Sequence, residues 1–222
     1  MPTAPEPIVC YVTHRKSLGG DDPAKSMLAK IETAIAAGAD WVQIREKDLP
    51  SRELFELARA AVHAAAARRA SIFVNDRLDV ALASGAGGAH LGGESLSAQD
   101  VVRWCRGGNA PAGFRIGVSC HSVEDLREAE HAGADYAFFG PIFDTPAKRK
   151  FGAPQGVAKF AEACAAVRMP VIAIGGLDAS NGAECLRAGA AGIAAIRMFQ
   201  EASGTAVLGD AIAQFRRAGR ES

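Results

Sequence analysis

Ala37-Gly38-Ala39-Asp40-Trp41-Val42-Gln43-Ile44 is the stretch on which the fold turns, because its plan returns three more times. The same small-residue junction stands at Gly85-Ala86-Gly87, Ala132-Gly133-Ala134 and Gly189-Ala190-Ala191. Each closes an amphipathic, Ala-rich stretch, where a glycine can adopt the left-handed conformation that ends a helix. A short apolar run follows each: Trp41-Ile44, Gly88-Leu91, Tyr136-Phe139 and Gly192-Ile196. The intervals between Gly38, Gly85, Gly133 and Gly189 are 47, 48 and 56 residues. A repeat of about 48 residues is the length of two β-α units, so four repeats make eight.

Working outward, strands and helices alternate along the whole chain. The expected strands are Ile8-Thr13, Trp41-Arg45, Ser71-Asn75, Gly88-Leu91, Arg115-Ser119, Tyr136-Phe139, Val171-Ile174 and Gly192-Ile196. Helices are expected at Ala24-Ala37, from Ser51, and at Leu78-Ser84, Ala98-Cys105, Val123-Ala132, Val157-Val167, Ser180-Ala188 and Ala206-Arg217. Strands that read as continuous apolar runs belong to a parallel sheet covered by helices. Eight of them argue for closure into a (β/α)8 barrel over residues 1–222, an α/β fold of one domain, with loose termini at 1–7 and 218–222. Such barrels carry their sites at the C-terminal ends of the strands.

The 222 residues suit one barrel of this kind. The 25 basic and 25 acidic residues cancel, which gives no support for nucleic acid or an anionic membrane as partner. Five widely spaced cysteines without a Cys-x-x-Cys read as reduced thiols. The start, Met1-Pro-Thr-Ala-Pro-Glu-Pro7, lacks the pattern of a signal peptide, and no 18-residue apolar run occurs. The expectation is a soluble cytoplasmic protein.

Polar residues at the strand ends then acquire meaning. In Val42-Gln43-Ile44-Arg45-Glu46-Lys47, alternation puts Gln43, Arg45 and Lys47 on one face and Val42 and Ile44 on the other. The apolar face meets the helices, so the cationic face points into the barrel mouth. Two cations and an amide aimed at one cavity suit a phosphorylated ligand. The bland alternative, a solvated charge cluster bridged to Glu46 or Asp48, fits the alternation less well. Asn75 shares its parity with Phe73. Asp76 has two readings: a ligand for a divalent cation accompanying a phosphate, or a cap for the helix Leu78-Ser84. In Gly117-Val118-Ser119-Cys120-His121 the inward set is Gly117, Ser119 and His121, which leaves Cys120 as a core thiol on the helix side. His121 is an acid-base candidate, or else a cap for the helix from Val123.

The segment Gly140-Gln155 is a long loop with hydroxyl and cationic groups at Thr145, Lys148, Arg149 and Lys150. Loops of about 15 residues in a compact domain are usually functional. Its apolar Ile142, Phe143 and Phe151 favour an ordered lid. Gly175-Gly176 ends the seventh strand and Ile196-Arg197 the eighth, the place where barrels often bind phosphate through backbone N–H groups and a helix N-terminus.

These residues carry a family resemblance. Gln43-x-Arg45-Glu46-Lys47, Asn75-Asp76-Arg77, His90-Leu91-Gly92, Gly117-x-Ser119-x-His121, Gly140-Pro-Ile-Phe-x-Thr145-x-x-Lys148 and Ala173-Ile-Gly-Gly176 follow the order seen in thiamine-phosphate synthases. The match runs from about Ile8 to Phe199 and extends to a sister group, the thiazole tautomerases. The resemblance implies magnesium-assisted loss of pyrophosphate from a hydroxymethylpyrimidine diphosphate and attack by a thiazole phosphate nitrogen. It implies a substrate-binding set of Gln43, Arg45, Glu46, Lys47, Asn75, Ser119, Thr145, Lys148, Gly175, Gly176, Ile196 and Arg197. Arg45, Lys148, Ser119 and His121 are the catalytic candidates within or beside it. Glu46 matters less if it points away from the cavity. Asp76 is the implied Mg2+ ligand, and the expected partners are the two small phosphorylated molecules, with a homo-oligomer left open.

Three positions depart from the synthase pattern. The second metal-binding aspartate, expected in Gln-x-Asp after His-Leu-Gly, is Ser95 within Gly93-Glu94-Ser95. One hydroxyl of the loop motif is lost at Thr145-Pro146-Ala147-Lys148, and a serine at the end of strand eight is Arg197. A metal-independent tautomerase using His121, or a non-catalytic phosphate-ligand-binding homologue, would tolerate the loss at Ser95. Arg45, Lys47 and Asp76 would be surplus to a tautomerase.

Overall fold

All four junction glycines take the left-handed conformation, with φ of 103° at Gly38, 73° at Gly85, 84° at Gly133 and 101° at Gly189. An L side chain rarely adopts such angles, so glycine at these helix ends is a backbone requirement. Two residues beyond Gly38 and Gly133, an aspartate stitches the incoming strand to its neighbour. Asp40 Oδ2 accepts from the Val9 amide at 2.9 Å, and Asp135 Oδ2 accepts from the Ile116 amide at 2.7 Å.

The computed structural model describes residues 6–19, 23–68, 70–145 and 153–220. Its strands are β1 (Ile8–Val12), β2 (Trp41–Ile44), β3 (Ser71–Asn75), β4 (Gly88–Leu91), β5 (Arg115–Cys120), β6 (Tyr136–Phe139), β7 (Val171–Ile174) and β8 (Gly192–Ala195). Each pairs in parallel with the next, and β8 returns to β1 to close the barrel. The intervening helices are α1 (Pro23–Ala36), α2 (Ser51–Ala66), α3 (Leu78–Ser84), α4 (Ala98–Trp104), α5 (Val123–His131), α6 (Gly156–Ala165) and α7 (Gly182–Arg187). The chain ends with α8 (Arg197–Glu201) and α9 (Thr205–Arg220).

Strand alternation divides the apolar side chains into two bodies. Val9, Val42, Ile44, Ile72, Val74, Ala137, Phe139 and Ile193 pack outward against the helices. Cys10, Val12, Trp41, Phe73, Tyr136, Phe138, Ile172 and Ala194 fill the barrel interior. Polar residues of inward parity at the C-terminal ends therefore sit above a packed plug, facing the mouth.

One boundary expectation changes. Strand eight stops at Ala195, and Ile196 begins the turn into α8, whose Phe199 and Gln200 amides both point to the Ile196 carbonyl. Arg197 is thus the first residue of an extra short helix. At the termini, α9 continues to Arg220, whose guanidinium meets Glu6, while Pro7 packs against Gly219. Residues 1–5 and 221–222 lie outside the described residues. Among the described residues, no helix is long and apolar enough to cross a membrane.

Candidate active site

The first cluster at the mouth grows from β2 and β3. Gln43, 2% exposed, donates from Nε2 to Asn75 Oδ1 at 2.9 Å. Asn75 donates in turn to Asp76 Oδ2, and Lys47 Nζ lies 3.8 Å from that same oxygen. On the other side, Asp76 Oδ1 accepts from the Ser95 hydroxyl and from the Gly92 amide at 3.2 Å. Asp76 is the single non-glycine residue with positive φ, 61°, among those described. Backbone held in a sparsely populated conformation is a recurrent mark of functional sites. The cap reading for Asp76 fails, because Arg77 occupies the N-cap of α3 and no side chain caps it.

Arg45 stands half-buried at the end of β2, and its amide donates to Thr13 Oγ1 at 2.9 Å. Among the described residues, no carboxylate lies within ion-pair distance of its guanidinium. Glu46 does not join it. The Glu46 carboxylate, 5% exposed, accepts from Thr13 Oγ1 at 2.6 Å and from the Arg15 amide at 3.0 and 3.1 Å. Glu46, expected among the substrate ligands, faces β1 and braces the turn that carries Arg45 and Lys47. Thr13, fully buried, is the second member of that brace, and no sequence motif marks it.

Ser119 reaches the mouth from β5, and beneath it lies His90 of β4, with Nε2 2.9 Å from Ser119 Oγ. His90 is 1% exposed, lies with its ring tilted 40° against that of Phe138, and has its pKa driven down from 6.5 to about 3. Burial is the main cause. The Asp76 charge opposes the shift and the Arg45 charge reinforces it. His90 belongs to the site although sequence reading met it only inside a motif. Its shared parity with Gly88 in Gly88-Ala89-His90 was the available signal. Cys120 faces the helices, fully buried, and burial pushes its thiol up to about 12.

His121 lies exposed on the rim, its ring Nδ1 against the Gly140 carbonyl. It does not cap α5. Ser122 does, in a reciprocal capping box with Asp125. On the far side, the loop after β6 runs beside the end of β7: the Ile142 amide donates to the Ile174 carbonyl at 3.0 Å and the Phe143 amide to the Gly175 carbonyl at 2.9 Å. Gly175 and Gly176 have φ of 100° and 72°, and a Cβ on Gly176 would fall 2.8 Å from the Phe143 carbonyl oxygen. Thr145 is half-buried at the end of this loop stem, and Ile142 is buried. Arg197 is exposed, close enough to Asp178 to help the Ser180 hydroxyl lower that carboxyl's pKa. Lys148 and Phe151 lie outside the described residues.

The mouth thus combines a cationic and carboxylate rim on β2–β4, a serine on β5 and a glycine-rich rim on β7–β8. The family model described as "Thiamine monophosphate synthase" matches residues 9–199. The chain belongs to that family. The chain is 41% identical over 186 residues to a thiamine-phosphate synthase of Moorella thermoacetica, covering 84% of this chain and 85% of that one. A thiamine-phosphate synthase of Roseiflexus castenholzii is 38% identical over 189 residues, 85% of this chain and 79% of its own. The solved structure of a thiamine phosphate pyrophosphorylase from Pyrococcus furiosus superposes with a TM-score of 0.80 at 29% identity, covering 96% of both chains.

As a cation site the family member is lean. Asp76 offers one carboxylate and Ser95 a hydroxyl beside it, and among the described residues no group of three or more His, Cys, Asp or Glu could hold a metal ion. Mg2+ accepts that poverty, since it is commonly held by one or two carboxylates with water and substrate phosphates completing the shell. The residues fit a magnesium ion that completes its shell with water and phosphate oxygens.

Proposed function

We propose that this chain is a thiamine-phosphate synthase, a transferase that joins a hydroxymethylpyrimidine diphosphate to a thiazole phosphate and releases pyrophosphate. One observation carries the reading: Arg45, without a carboxylate partner among the described residues, stands beside a Lys47–Asp76 pair at one rim of the mouth. A dianionic or trianionic leaving group needs cations, and a cation-binding carboxylate among them suits a diphosphate rather than a single phosphate.

In this reading Gln43 and Asn75 hold the pyrimidine side of the substrate, while Arg45, Lys47, Ser119 and Lys148 hold the diphosphate. The bond between the pyrimidine methylene and the bridging oxygen breaks with both electrons going to oxygen. The thiazole nitrogen lone pair then forms the new carbon–nitrogen bond. Charge grows on the leaving group as the bond lengthens, so fixed cations stabilise the transition state more than the ground state. Asp76, with Ser95 beside it, would hold Mg2+, which supplies further neutralisation of the diphosphate when bound. Thr145, Gly175, Gly176, Ile196 and Arg197 would receive the thiazole phosphate across the mouth. Five free thiols agree with a reducing, cytoplasmic setting.

The tautomerase reading would use His121 for proton transfer but leaves Arg45, Lys47 and Asp76 without work. A coupled assay with both substrates, with and without magnesium, separates the readings. Magnesium-dependent release of pyrophosphate with formation of thiamine phosphate is expected. Isomerisation of a thiazole carboxylate phosphate without pyrophosphate would mark a tautomerase, and tight binding without turnover a sensor.

A further inference from the structure

Below the mouth, three side chains from three adjacent strands form a hydrogen-bonded chain. Tyr136 Oη of β6 lies 3.2 Å from His90 Nδ1, and His90 Nε2 lies 2.9 Å from Ser119 Oγ. Tyr136 and His90 are each 1% exposed, and Ser119 alone is open to the mouth. Gly117 is in register with both His90 and Tyr136. A Cβ there would fall 2.1 Å from Tyr136 Cζ and 2.5 Å from its hydroxyl, so the missing side chain is what admits the ring.

Donor and acceptor counting assigns the protons. A neutral imidazole has one donor nitrogen and one acceptor nitrogen. Among the described residues the Tyr136 hydroxyl has no other hydrogen-bond partner, and a buried phenol proton left without an acceptor costs free energy. The phenol therefore donates to Nδ1. The ring proton is then on Nε2 and is donated to Ser119 Oγ. With its oxygen already accepting inside the barrel, the serine hydroxyl hydrogen is left to point outward. An imidazolium would reverse the first bond and strand the phenol proton.

We infer that His90 is a positioning residue: held in its Nε2–H form by Tyr136, it makes Ser119 a dedicated donor toward the anion in the barrel mouth. A free serine hydroxyl can present either its proton or its lone pairs. One whose oxygen is already engaged presents its proton, and no reorganisation is needed when negative charge develops on the leaving group. The inference rests on the diphosphate reading of the mouth, which it deepens.

Two measurements test it. In protein labelled with 15N-histidine, the imidazole 15N shifts report which ring nitrogen carries the proton, and His90→Gln identifies the His90 signals by their loss. A neutral ring protonated on Nε2 is expected at pH 7; a proton on Nδ1, or on both nitrogens, overturns the inference. The second is a cycle of kcat for pyrophosphate release. Ser119→Ala and His90→Leu should each lower kcat by roughly 10- to 100-fold, the scale on which a misplaced group is felt. The double variant should be no slower than the worse single one. His90→Gln, whose amide nitrogen can replace the Nε2 donor, should recover most of the loss. Multiplicative losses in the double variant, or wild-type kcat in folded His90→Leu, would overturn the proposal. Should His90→Leu not fold, the tautomer measured in the wild type still decides. Absence of pyrophosphate release from the wild type would reject the diphosphate reading, an outcome distinct from finding the wrong tautomer.

Discussion

Ser95 donates its hydroxyl to Oδ1 of Asp76, and the Gly92 amide reaches both groups, at 2.7 Å to Ser95 Oγ and 3.2 Å to Asp76 Oδ1. The position after β4 where the synthase pattern has a second aspartate is thus in contact with the first. What the chain lacks is the charge, not the geometry. Glu94, the next residue toward the N-terminus, is exposed.

Ser95→Asp should therefore supply the missing carboxylate. Two carboxylates at this distance repel unless a cation lies between them, so the variant should bind Mn2+ or Mg2+ about tenfold more tightly, roughly 1–2 kcal/mol for an added charged contact. Mn2+ binding followed by electron paramagnetic resonance without substrate checks this, alongside a magnesium titration of pyrophosphate release. The gain should vanish in Asp76→Ala/Ser95→Asp. A parent enzyme indifferent to magnesium, with no shift in Ser95→Asp, would favour the tautomerase.

Arg45→Ala should lower kcat/KM for the diphosphate substrate by roughly 10²-fold or more, the scale for losing one preorganised charge contact. Lys47→Ala should do the same and also release Asp76 from its 3.8 Å partner. Steady-state kinetics of pyrophosphate release decides it. Activity in Arg45→Ala equal to wild type would reduce the pair to a solvated strand end.

The barrel was legible because its signals are local and repeated. A helix-closing glycine constrains its own backbone, and strand parity in a sheet buried on both faces sorts Gln43 from Val42 and Ser119 from Cys120 without tertiary information. The outlying groups were not legible, for the opposite reason. Glu46 takes its direction from Thr13, 33 residues away, and His90 acquires its role from Tyr136, 46 residues on. Alternation also ceases to inform once a strand ends, which is why Ile196 and Arg197 read as strand when they open a five-residue helix. So short a helix shows no 3.6-residue period.

Glu46→Ala should act on stability first. It removes the acceptor for the buried Thr13 hydroxyl and the Arg15 amide, and stranded buried donors cost about 1–3 kcal/mol each. Chemical denaturation should show that loss. Any fall in kcat should follow from a misplaced Arg45, so Glu46→Gln, which keeps an acceptor oxygen, should restore most of both. A fully stable Glu46→Ala with reduced diphosphate affinity would instead make Glu46 a ligand.

His90 imposes a pH dependence on folding. Its pKa is about 3 in the native protein against 6.5 ordinarily. Between those values the unfolded chain binds a proton that the native chain refuses, so stability rises with pH across this window. The contribution is complete above pH 6.5 and is lost as pH falls toward 3, at up to about 1.4 kcal/mol per pH unit from this one group. Asp76 and Arg45, the charges that act on the ring, are present in both the wild type and a His90 variant. Denaturant unfolding of wild type and His90→Gln at steps from pH 7.5 to pH 5 provides the measurement. The variant starts lower where it loses the bond to Tyr136, but the gap should narrow steadily below about pH 6.5 and leave the variant with the shallower profile. Parallel profiles would mean that His90 takes up its proton in the native barrel, and the buried neutral ring would have to be abandoned.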